Sequence, residues 1–228
     1  MDIIKYLQAQ GIGSRKECRE LVRDGRVLIN GAVPAEHIDE HGVETLHINE
    51  TAYGVMTLPY FYLALHKPEN VETSHKPSHY PSVFSLLPAN VQRLKIQAVG
   101  RLDADTTGVL IITNDGSFNH RLTAAKNQVP KTYRVTLKHP ADDDLCTRLR
   151  AGVLLADEQE TVAAAEAVLT DAHTLHMTIT SGKYHQVKRM IAAAGNRVEK
   201  LHRTLFGQLT ADDLPVGQWR RITPDEVW

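Results

Sequence analysis

Cysteine is scarce in this 228-residue chain: Cys18 and Cys146 are the only two, and they lie far apart in the sequence. Two isolated thiols exclude a disulfide scaffold and a CxxC metal or redox motif, and they suit a reducing compartment. Long apolar runs are also missing, since none approaches the ~18 residues that a membrane-spanning helix needs. The first residues, Met1–Lys5, carry no signal-peptide pattern. We therefore expect a cytoplasmic protein without a membrane partner.

Net charge is nearly absent, because 26 Lys and Arg residues are balanced by 27 Asp and Glu residues. The charges are nevertheless unevenly distributed. Residues 34–60 hold five acidic and no basic residues, and residues 140–172 hold eight acidic and two basic ones. Residues 117–139 hold five basic and no acidic residues, and residues 181–206 hold six basic and one acidic. Because salt screens charges beyond ~8–10 Å, such local blocks decide whether a polyphosphate binds. The basic blocks indicate either nucleic-acid contacts or ordinary solvated faces.

Sequence motifs for bound groups are missing as well. The chain has neither a GxxxxGKS/T phosphate loop nor a GxGxxG loop after a strand, which argues against nucleotide-driven chemistry. Its twelve histidines do not form an HExxH or comparable ligand pattern. We therefore expect no cofactor and no metal site.

The start of the chain predicts two helices. Ile3 and Leu7 share one helical face, and Gly11 ends that helix. Ser14 and Glu17 have the spacing of a capping box, so a second helix begins there. Five basic residues lie on the second helix or just beyond it: Arg15, Lys16, Arg19, Arg23 and Arg26.

A short strand and a turn follow these helices. Val27–Ile29 is apolar, and Asn30–Gly31 is the strongest two-residue signal for a hairpin. We expect a further strand at Thr45–Ile48 and a connection between two domains at Asn49–Pro59.

The remainder of the chain is rich in strand patterns. Val109–Ile112 is a continuous apolar run, typical of a strand buried on both faces. Lys131–Lys138 alternates apolar and polar residues, and a helix with Val187 and Met190 on one face follows Gly182. Strands predominate and helices occur irregularly between them, so we predict an α+β fold around one mixed sheet.

The loop Gly100–Gly108, with the sequence GRLDADTTG, is the most unusual stretch. It places two carboxylates, two hydroxyls and an arginine directly before the most apolar strand. A carboxylate held there is partly desolvated, and it can act as a nucleophile or an acid–base group if a cation keeps it ionised. The same residues also suit an Asx or Thr turn that stabilises only its own backbone, and spacing alone favours this second role.

Two further positions could carry chemistry. Tyr133 lies on the apolar face of its strand, where its hydroxyl needs a partner and its ring can stack on a base. An ordinary core tyrosine has the same pattern. Lys188 and Arg189 lie in the first turns of a helix, where either could pair with a carboxylate or hold phosphate, or remain a surface cation.

These motifs, in this order, resemble those of the RsuA-type pseudouridine synthases, which act on ribosomal RNA. The second part of the chain matches through GRLDADTTG, through KTY at Lys131–Tyr133 and through GKYHQVKRM at Gly182–Met190. The first part resembles an S4 RNA-binding domain, through SRKE at Ser14–Glu17 and through Gly25–Gly31. Family members often have glycine where this chain has Asn70, a residue type that tolerates a left-handed backbone.

The resemblance implies a fold and a reaction. The fold is a small S4 (α-L) domain with its linker over residues 1–58, and a synthase domain on a mixed, mainly antiparallel sheet over residues 59–228. The reaction isomerises uridine to pseudouridine within RNA: the N1–C1′ bond breaks, the uracil turns, and C5 bonds to C1′. This chemistry requires no cofactor and no metal. GKYHQVKRM is most similar to synthases of small-subunit (16S) rRNA, so 16S rRNA or an assembling 30S particle is the expected partner. Apart from the resemblance, no apolar stripe typical of an oligomer interface stands out in the sequence, so we expect a monomer.

The resemblance also implies roles for residues. Asp103 is the catalytic carboxylate, which attacks C1′ or removes a ribose proton. Lys188 is its basic partner, with Arg189 as the fallback, and Tyr133 stacks on the target uracil. A pocket of this kind requires the base to flip out of its stack. Further expected RNA contacts are Arg101, Arg189, His185, Gln186, Arg15, Lys16, Arg19, Arg23 and Arg26.

Three alternatives remain open from the sequence. The same chemistry could act on a large-subunit (23S) rRNA uridine. A non-catalytic S4 RNA-binding factor for ribosome assembly would share the basic residues but would not need Asp103, Tyr133 and Lys188 together. A metal-dependent hydrolase could use Asp103, Asp105 and nearby histidines, and chelators would reveal it.

Overall fold

A computed structural model describes residues 1–155, 157 and 159–228 of the chain. The α-helices in this part are α1 (Ile3–Ala9), α2 (Arg15–Arg23), α3 (Ala89–Gln92), α4 (Gly116–Thr123), α5 (Asp143–Ala151) and α6 (Gln186–Ala193). The strands are β1 (Val27–Ile29), β2 (Leu46–Ile48), β3 (Thr51–Tyr53), β4 (Tyr62–Lys67), β5 (Gln97–Val99), β6 (Thr106–Thr113), β7 (Lys131–Leu137), β8 (Val153–Leu155), β9 (Glu160–Val162), β10 (Glu166–Asp171), β11 (Thr174–Ile179), β12 (Val198–Phe206) and β13 (Trp219–Arg221). Short 3₁₀ turns lie at Glu40–Gly42, Val83–Leu86, Ala125–Asn127 and Pro224–Val227.

The N-terminal part packs two helices against a three-stranded sheet of order β1-β2-β3. Ile3, Leu7 and Cys18 are buried in its core, as their helical spacing predicts. The predicted capping box is present: the Ser14 hydroxyl accepts from the Glu17 amide at 3.4 Å, and the Glu17 carboxylate accepts from the Ser14 amide at 2.7 Å. These bonds satisfy two amides at the start of α2 that have no partner within the helix.

The predicted turn after β1 forms, and it pairs Ile29, the last residue of β1, with Ala32 through two backbone hydrogen bonds of 2.8 and 3.0 Å. Asn30 and Gly31 both have positive φ, as a tight hairpin turn requires. β1 also pairs along its length with the more distant β2, and the Asn30 carboxamide oxygen accepts from the amides of Glu44 and Thr45 just before β2. In addition, β3 lies inside the stretch 49–59 that we expected to be a connection.

The rest of the chain is built on one large mixed sheet of order β10-β11-β7-β12-β6-β4-β13, with β5 also paired to β6. β12 and β6 are parallel, and the other pairings of this sheet among the described strands are antiparallel. The predicted α+β fold with a mixed, mainly antiparallel sheet is therefore confirmed.

β6 is buried on both faces, as its continuous apolar sequence predicts. Leu110 and Ile112 pack into the cluster that also holds Val187 and Met190 of α6. Val109 and its neighbours on the other face pack into a second cluster beneath α4. Apolar packing on both faces consequently fixes the end of β6 that carries the GRLDADTTG loop.

β6 and β12 approach each other closely at Gly108. Gly108 pairs with Arg203 in the parallel register and has a φ of +106°. A Cβ at this position would lie 2.1 Å from the Arg203 carbonyl oxygen, so only glycine fits. The contact brings the second half of the sheet against the loop that contains Asp103.

Side chains join the N-terminal part to the large sheet. The Gln10 carboxamide exchanges two hydrogen bonds of 2.7 Å with the Met56 backbone. Asn90 donates to the carbonyls of Gln10 and Gly54 at 2.8 Å each, and Arg93 donates to a carbonyl of the same region. Among the described residues, no helix is long and apolar enough to cross a membrane.

Candidate active site

A cavity of about 750 Å³ opens beside the GRLDADTTG loop. Its walls come from that loop, from β7 and from the first turn of α6, which are distant in sequence. The three residues that we predicted as catalytic, Asp103, Tyr133 and Lys188, all line it. The structure thus brings together motifs that spacing alone could not connect.

Asp103 lies between two positively polarised groups. Its carboxylate is 3.0 Å from the Lys188 ammonium and 3.2 Å from the His185 imidazole Nε2. His185 precedes α6 with a φ of 47° and stacks on Tyr184, with 3.8 Å between the ring centroids. The Lys188 ammonium thus forms an ion pair with the Asp103 carboxylate inside the site.

Lys188 is shared with a second carboxylate, Asp105, whose oxygens lie at 2.7 and 2.9 Å. Burial disfavours the charged lysine, but the hydrogen bonds with Asp105 and Asp103 outweigh it and raise the pKa of Lys188. Burial acts against the Asp105 carboxylate too, yet the bond from Lys188 lowers the pKa of Asp105. Asp105 was not among the predicted site residues, although its position two residues after Asp103 was the available signal.

Lys67 binds the backbone around the Asp103 loop. It is fully buried, and its ammonium donates to the carbonyl oxygens of Pro68, Ala104 and Thr106 at 2.9, 3.3 and 2.9 Å. Burial lowers the pKa of Lys67 to about 8, even though the charges of Asp105 and Asp103 favour its protonated form. No pattern in the sequence indicated that Lys67 binds this loop.

Asn70 and Thr73 fix the loop backbone with three further hydrogen bonds. The Asn70 amide donates to the Ala104 carbonyl at 2.8 Å, and Asn70 has a φ of 57°, so the left-handed backbone expected at this position is confirmed. The Thr73 hydroxyl donates to the Leu102 carbonyl at 2.8 Å and accepts from the Leu102 amide. The Asp103 backbone is therefore set by contacts on both sides.

Tyr133, Lys131 and Arg203 form the floor of the cavity. Tyr133 is 7% exposed and lies directly across from Arg203 in the β7–β12 pairing. Lys131 and Arg203 belong to the basic blocks 117–139 and 181–206, whose charges we expected at the surface; for these two residues the expectation is wrong, since they are only 9% and 1% exposed. Both lie on the inward face of their strands, so their side chains point into the fold rather than to solvent.

Three residues at the start of α6 differ in what they contact. Gln186 is buried, and its carboxamide bonds to the Ser181 hydroxyl and the Lys183 amide. Its side chain therefore orders the turn before α6, and because Gln186 also lines the cavity its expected RNA contact stays a prediction. Arg189 bonds to the Tyr184 carbonyl and pairs with Asp157 at 3.2 Å. Lys188 is consequently the cation that reaches Asp103, and the fallback to Arg189 is not needed.

The other predicted RNA-binding residues lie on the surface. Arg101 is exposed at the cavity rim. Arg23 pairs with Asp24 at 2.9 Å, and Arg26 donates to Asn49 at 2.6 Å. The five basic residues of the α2 region are all exposed: Arg15, Lys16, Arg19, Arg23 and Arg26.

One group of side chains outside the cavity has ligand atoms suited to a metal. One ligand atom each from His66, His202 and Asp212 lies within 4.8 Å of the others. Hydrogen bonds already engage them: His202 bonds to Asp212 at 2.8 Å and to Thr107 at 2.7 Å, and His66 bonds to the Leu214 carbonyl at 2.8 Å. Our expectation that the chain has no metal site stays a prediction.

Comparison with known proteins identifies the class of this fold and site. Residues 61–193 match the family model described as RNA pseudouridylate synthase, and residues 3–33 match the S4 domain. The chain belongs to the RNA pseudouridylate synthase family. It is accordingly an isomerase with an attached S4 domain.

Within the pseudouridylate synthases, the chain is similar over its full length to named relatives. The chain is 38% identical to the ribosomal small subunit pseudouridine synthase A of Vibrio vulnificus, over 100% of this chain and 98% of the relative. It is 36% identical to the protein of the same name from Yersinia pestis, over 100% and 97% of the two chains. A crystal structure of a pseudouridylate synthase superposes with a TM-score of 0.70 at 30% identity, covering 100% of this chain and 98% of the other.

Proposed function

We propose that this protein isomerises a specific uridine of small-subunit (16S) rRNA to pseudouridine, with Asp103 as the catalytic carboxylate. The observation that carries the proposal is the Asp103 carboxylate, held by Lys188 at 3.0 Å and by His185 at 3.2 Å beside a cavity. The names of the full-length relatives support the small-subunit target.

In the proposed reaction, Asp103 acts on the ribose and Lys188 is its cationic partner. Asp103 either attacks C1′ or removes a ribose proton, and both require the carboxylate in its charged form. Asp105 binds Lys188 from the other side, so the lysine cannot move away from the site without leaving two carboxylates unpaired. The His185 imidazole, 3.2 Å from the other Asp103 oxygen, limits the directions that the carboxylate can take.

The target uracil packs against Tyr133 on the cavity floor. Because the cavity lies below the surface of the protein, the nucleotide must leave its stack and flip inward, which costs a few kcal/mol. Arg101 at the rim contacts the RNA backbone or fills the space that the base vacates. His185 lines the same cavity, and Arg189 in the first turn of α6 makes a further RNA contact.

We further propose that residues 1–58 and 59–228 act as two RNA-binding units of a cytoplasmic monomer. The continuous core from Ile3 to Val55 supports this division. The exposed basic residues of the α2 region add a tethered second contact, which raises the effective concentration of rRNA at the cavity. The substrate is 16S rRNA, free or within an assembling 30S particle.

The decisive experiment compares pseudouridine maps of rRNA from cells with and without the protein. We expect one pseudouridine of 16S rRNA to disappear when the protein is missing and to return when it is supplied. Loss of a 23S rRNA site instead would replace the small-subunit target with the large-subunit alternative. Unchanged maps with a defect in subunit assembly would favour the non-catalytic assembly factor.

Asp103→Asn tests the catalytic carboxylate. The amide retains the shape of the side chain but supplies neither a nucleophile nor a base, so we expect pseudouridine formation to be abolished. The dissociation constant for rRNA, measured by filter binding, should stay within about threefold, because phosphate contacts dominate affinity.

The matched control for this substitution is Asp213→Asn, which changes an exposed aspartate outside the cavity. It should retain wild-type turnover. Substantial turnover by Asp103→Asn, with the asparagine verified by mass spectrometry, would refute the assignment.

A further inference from the structure

Two buried cations lie side by side on the cavity floor. Lys131 and Arg203 both line the cavity, although they are almost inaccessible to solvent. Both contact the ring of Phe206, with the Lys131 ammonium 5.4 Å and the Arg203 guanidinium carbon 5.1 Å from its centroid. The aromatic face stabilises each charge partly, but it carries no negative charge to neutralise them.

The two positive charges have no anionic partner within the described part of the chain. The Lys131 ammonium donates to the Val129 carbonyl at 2.8 Å, and the Arg203 Nε donates to the Val109 carbonyl at 2.9 Å. The Arg203 Nη2 is buried and has no hydrogen-bond partner. Burial, and then the neighbouring charge of Arg203, lower the pKa of Lys131 to about 8. Buried charges are normally paired, so this pair is suited to an anionic ligand.

The positions of these cations indicate which part of the substrate they meet. Lys131 lies two residues before Tyr133 on the same face of β7, and Arg203 lies directly opposite Tyr133 on β12. A base packed against Tyr133 therefore has both cations beside its edges. The phosphates of a flipped nucleotide remain nearer the rim, where exposed Arg101 lies.

The isomerisation itself generates a negative charge on that base. When the N1–C1′ bond breaks, its electron pair stays on the uracil, whose two carbonyl oxygens share the charge. C1′ meanwhile bonds to the Asp103 carboxylate, or the ribose gives a proton to it. C5 then supplies the electron pair for the new bond to C1′, while the C1′–oxygen bond to Asp103 breaks or, in the other route, Asp103 returns its proton to the ribose. C5 finally loses its proton to water and N1 gains one from water, so the product is an isomer of the substrate.

We propose that Lys131 and Arg203 form an anion-stabilising subsite for the detached uracil ring, which rests on the proposed function above. The cations stabilise the uracil anion more than the neutral uracil of the substrate, and they do so where water is scarce and charge interactions are strong. The subsite thus accelerates breakage of the N1–C1′ bond rather than tightening RNA binding.

Lys131→Met tests the subsite, because methionine keeps the apolar stem and removes the charge. We expect the single-turnover rate constant on rRNA from cells lacking the protein to fall about 100-fold, the typical effect of removing one such donor. The dissociation constant for rRNA and its dependence on salt should not change. Lys131→Arg, which keeps the charge, should restore most of the rate. The matched control is Arg134→Met, an exposed cation of the same strand that points away from the cavity.

Ring fluorination separates charge stabilisation from a purely structural role. A fluorine at C5 withdraws electrons and stabilises the uracil anion by itself. The rate defect of Lys131→Met should therefore shrink when the rRNA carries 5-fluorouridine and consumption of the target nucleotide is followed. A defect of equal size on both substrates would overturn the subsite.

The remaining outcomes are also decisive. Wild-type rates in folded Lys131→Met would overturn the subsite and leave the proposed function intact. Weaker rRNA binding with an unchanged rate at saturation, and a salt slope reduced by about one, would assign the cations to a phosphate and overturn the uracil subsite. A wild-type protein that converts no uridine in this rRNA would overturn the proposed function and the subsite together. Thermal unfolding checks the fold, and we expect Lys131→Met to melt no lower than wild type, because it removes an unpaired buried charge.

Discussion

Lys67 shows how much one buried side chain contributes to the site. Its ammonium binds three backbone carbonyls around the Asp103 loop, and its neighbours in the charge network are Asp103 and Asp105. Replacing it would leave buried carbonyl oxygens without a donor, which costs about 1–3 kcal/mol for each such group. Lys67 therefore stabilises the loop geometry on which the Asp103–Lys188 ion pair depends.

The buried lysines make stability depend on pH in a defined direction. Lys67 and Lys131 have pKa values of about 8 in the folded protein, below the usual lysine value of 10.5. Between these values the unfolded chain binds more protons, so the free energy of unfolding should rise with pH, by up to about 1.4 kcal/mol per pH unit for each lysine. The trend ends above pH 10, because burial raises the pKa of Tyr6 and Tyr62 to about 12.

Urea unfolding between pH 7.5 and 9.5 measures this dependence. Lys131→Met should show a smaller rise than wild type, because one of the two titrating lysines is gone. An identical rise in wild type and variant would show that Lys131 does not titrate in this range.

At the scale of elements, the close packing of β6 and β12 determines where the site forms. The parallel register places Arg203 against Gly108, and the same strand pairs Arg203 with Tyr133 on its other side. β12 therefore connects the loop that carries Asp103 with the strand that carries Tyr133.

Gly108→Ala tests this packing. The new Cβ would overlap the Arg203 carbonyl and strain a backbone with positive φ, so we expect the free energy of unfolding to fall by about 2–5 kcal/mol. Gly116→Ala is the control, because Gly116 begins α4 in open space, and this substitution should change stability by less than about 0.5 kcal/mol. Equal stability of the two variants, measured by denaturant unfolding, would contradict the role of Gly108.

At the scale of the whole molecule, the charge of −1 combines basic and acidic regions that lie in different places. Basic side chains of the α2 region are exposed. The acidic segment 34–60 contains β2 and β3, and the acidic segment 140–172 contains α5, β8, β9 and β10. Hydrogen bonds of Gln10, Asn90 and Arg93 hold the N-terminal part against the large sheet. The orientation of the basic helix relative to the cavity is therefore constrained.

A triple substitution, Arg15→Ala with Lys16→Ala and Arg19→Ala, tests the second RNA contact. We expect weaker rRNA binding and a shallower dependence of log affinity on log salt, by about one unit for each lost phosphate contact. Filter binding at several salt concentrations measures both quantities. Arg148→Ala, in the acidic segment, should leave the slope unchanged. An unchanged slope in the triple variant would show that α2 does not touch RNA.

Local patterns in the sequence predicted much of this protein. The capping box at Ser14, the doubly buried strand at Val109–Ile112 and the inward face of Tyr133 all follow from the spacing of neighbouring residues, because their periodicity reflects local geometry. The family motifs in their order also indicated the α+β fold and the isomerase class before any contact was known.

Other features were decided only by the tertiary structure, because they depend on residues far apart in the chain. The Asn30 carboxamide accepts hydrogen bonds from Glu44 and Thr45, which directly precede β2. Lys188 rather than Arg189 contacts Asp103 because of the direction in which α6 starts. The burial of charged side chains was also decided only by the tertiary structure. The sequence determined how many basic residues the chain has and where they lie along it, but only the packing of β7 against β12 buried Lys131 and Arg203 together. A net charge near zero therefore coexists with a strongly positive cavity floor.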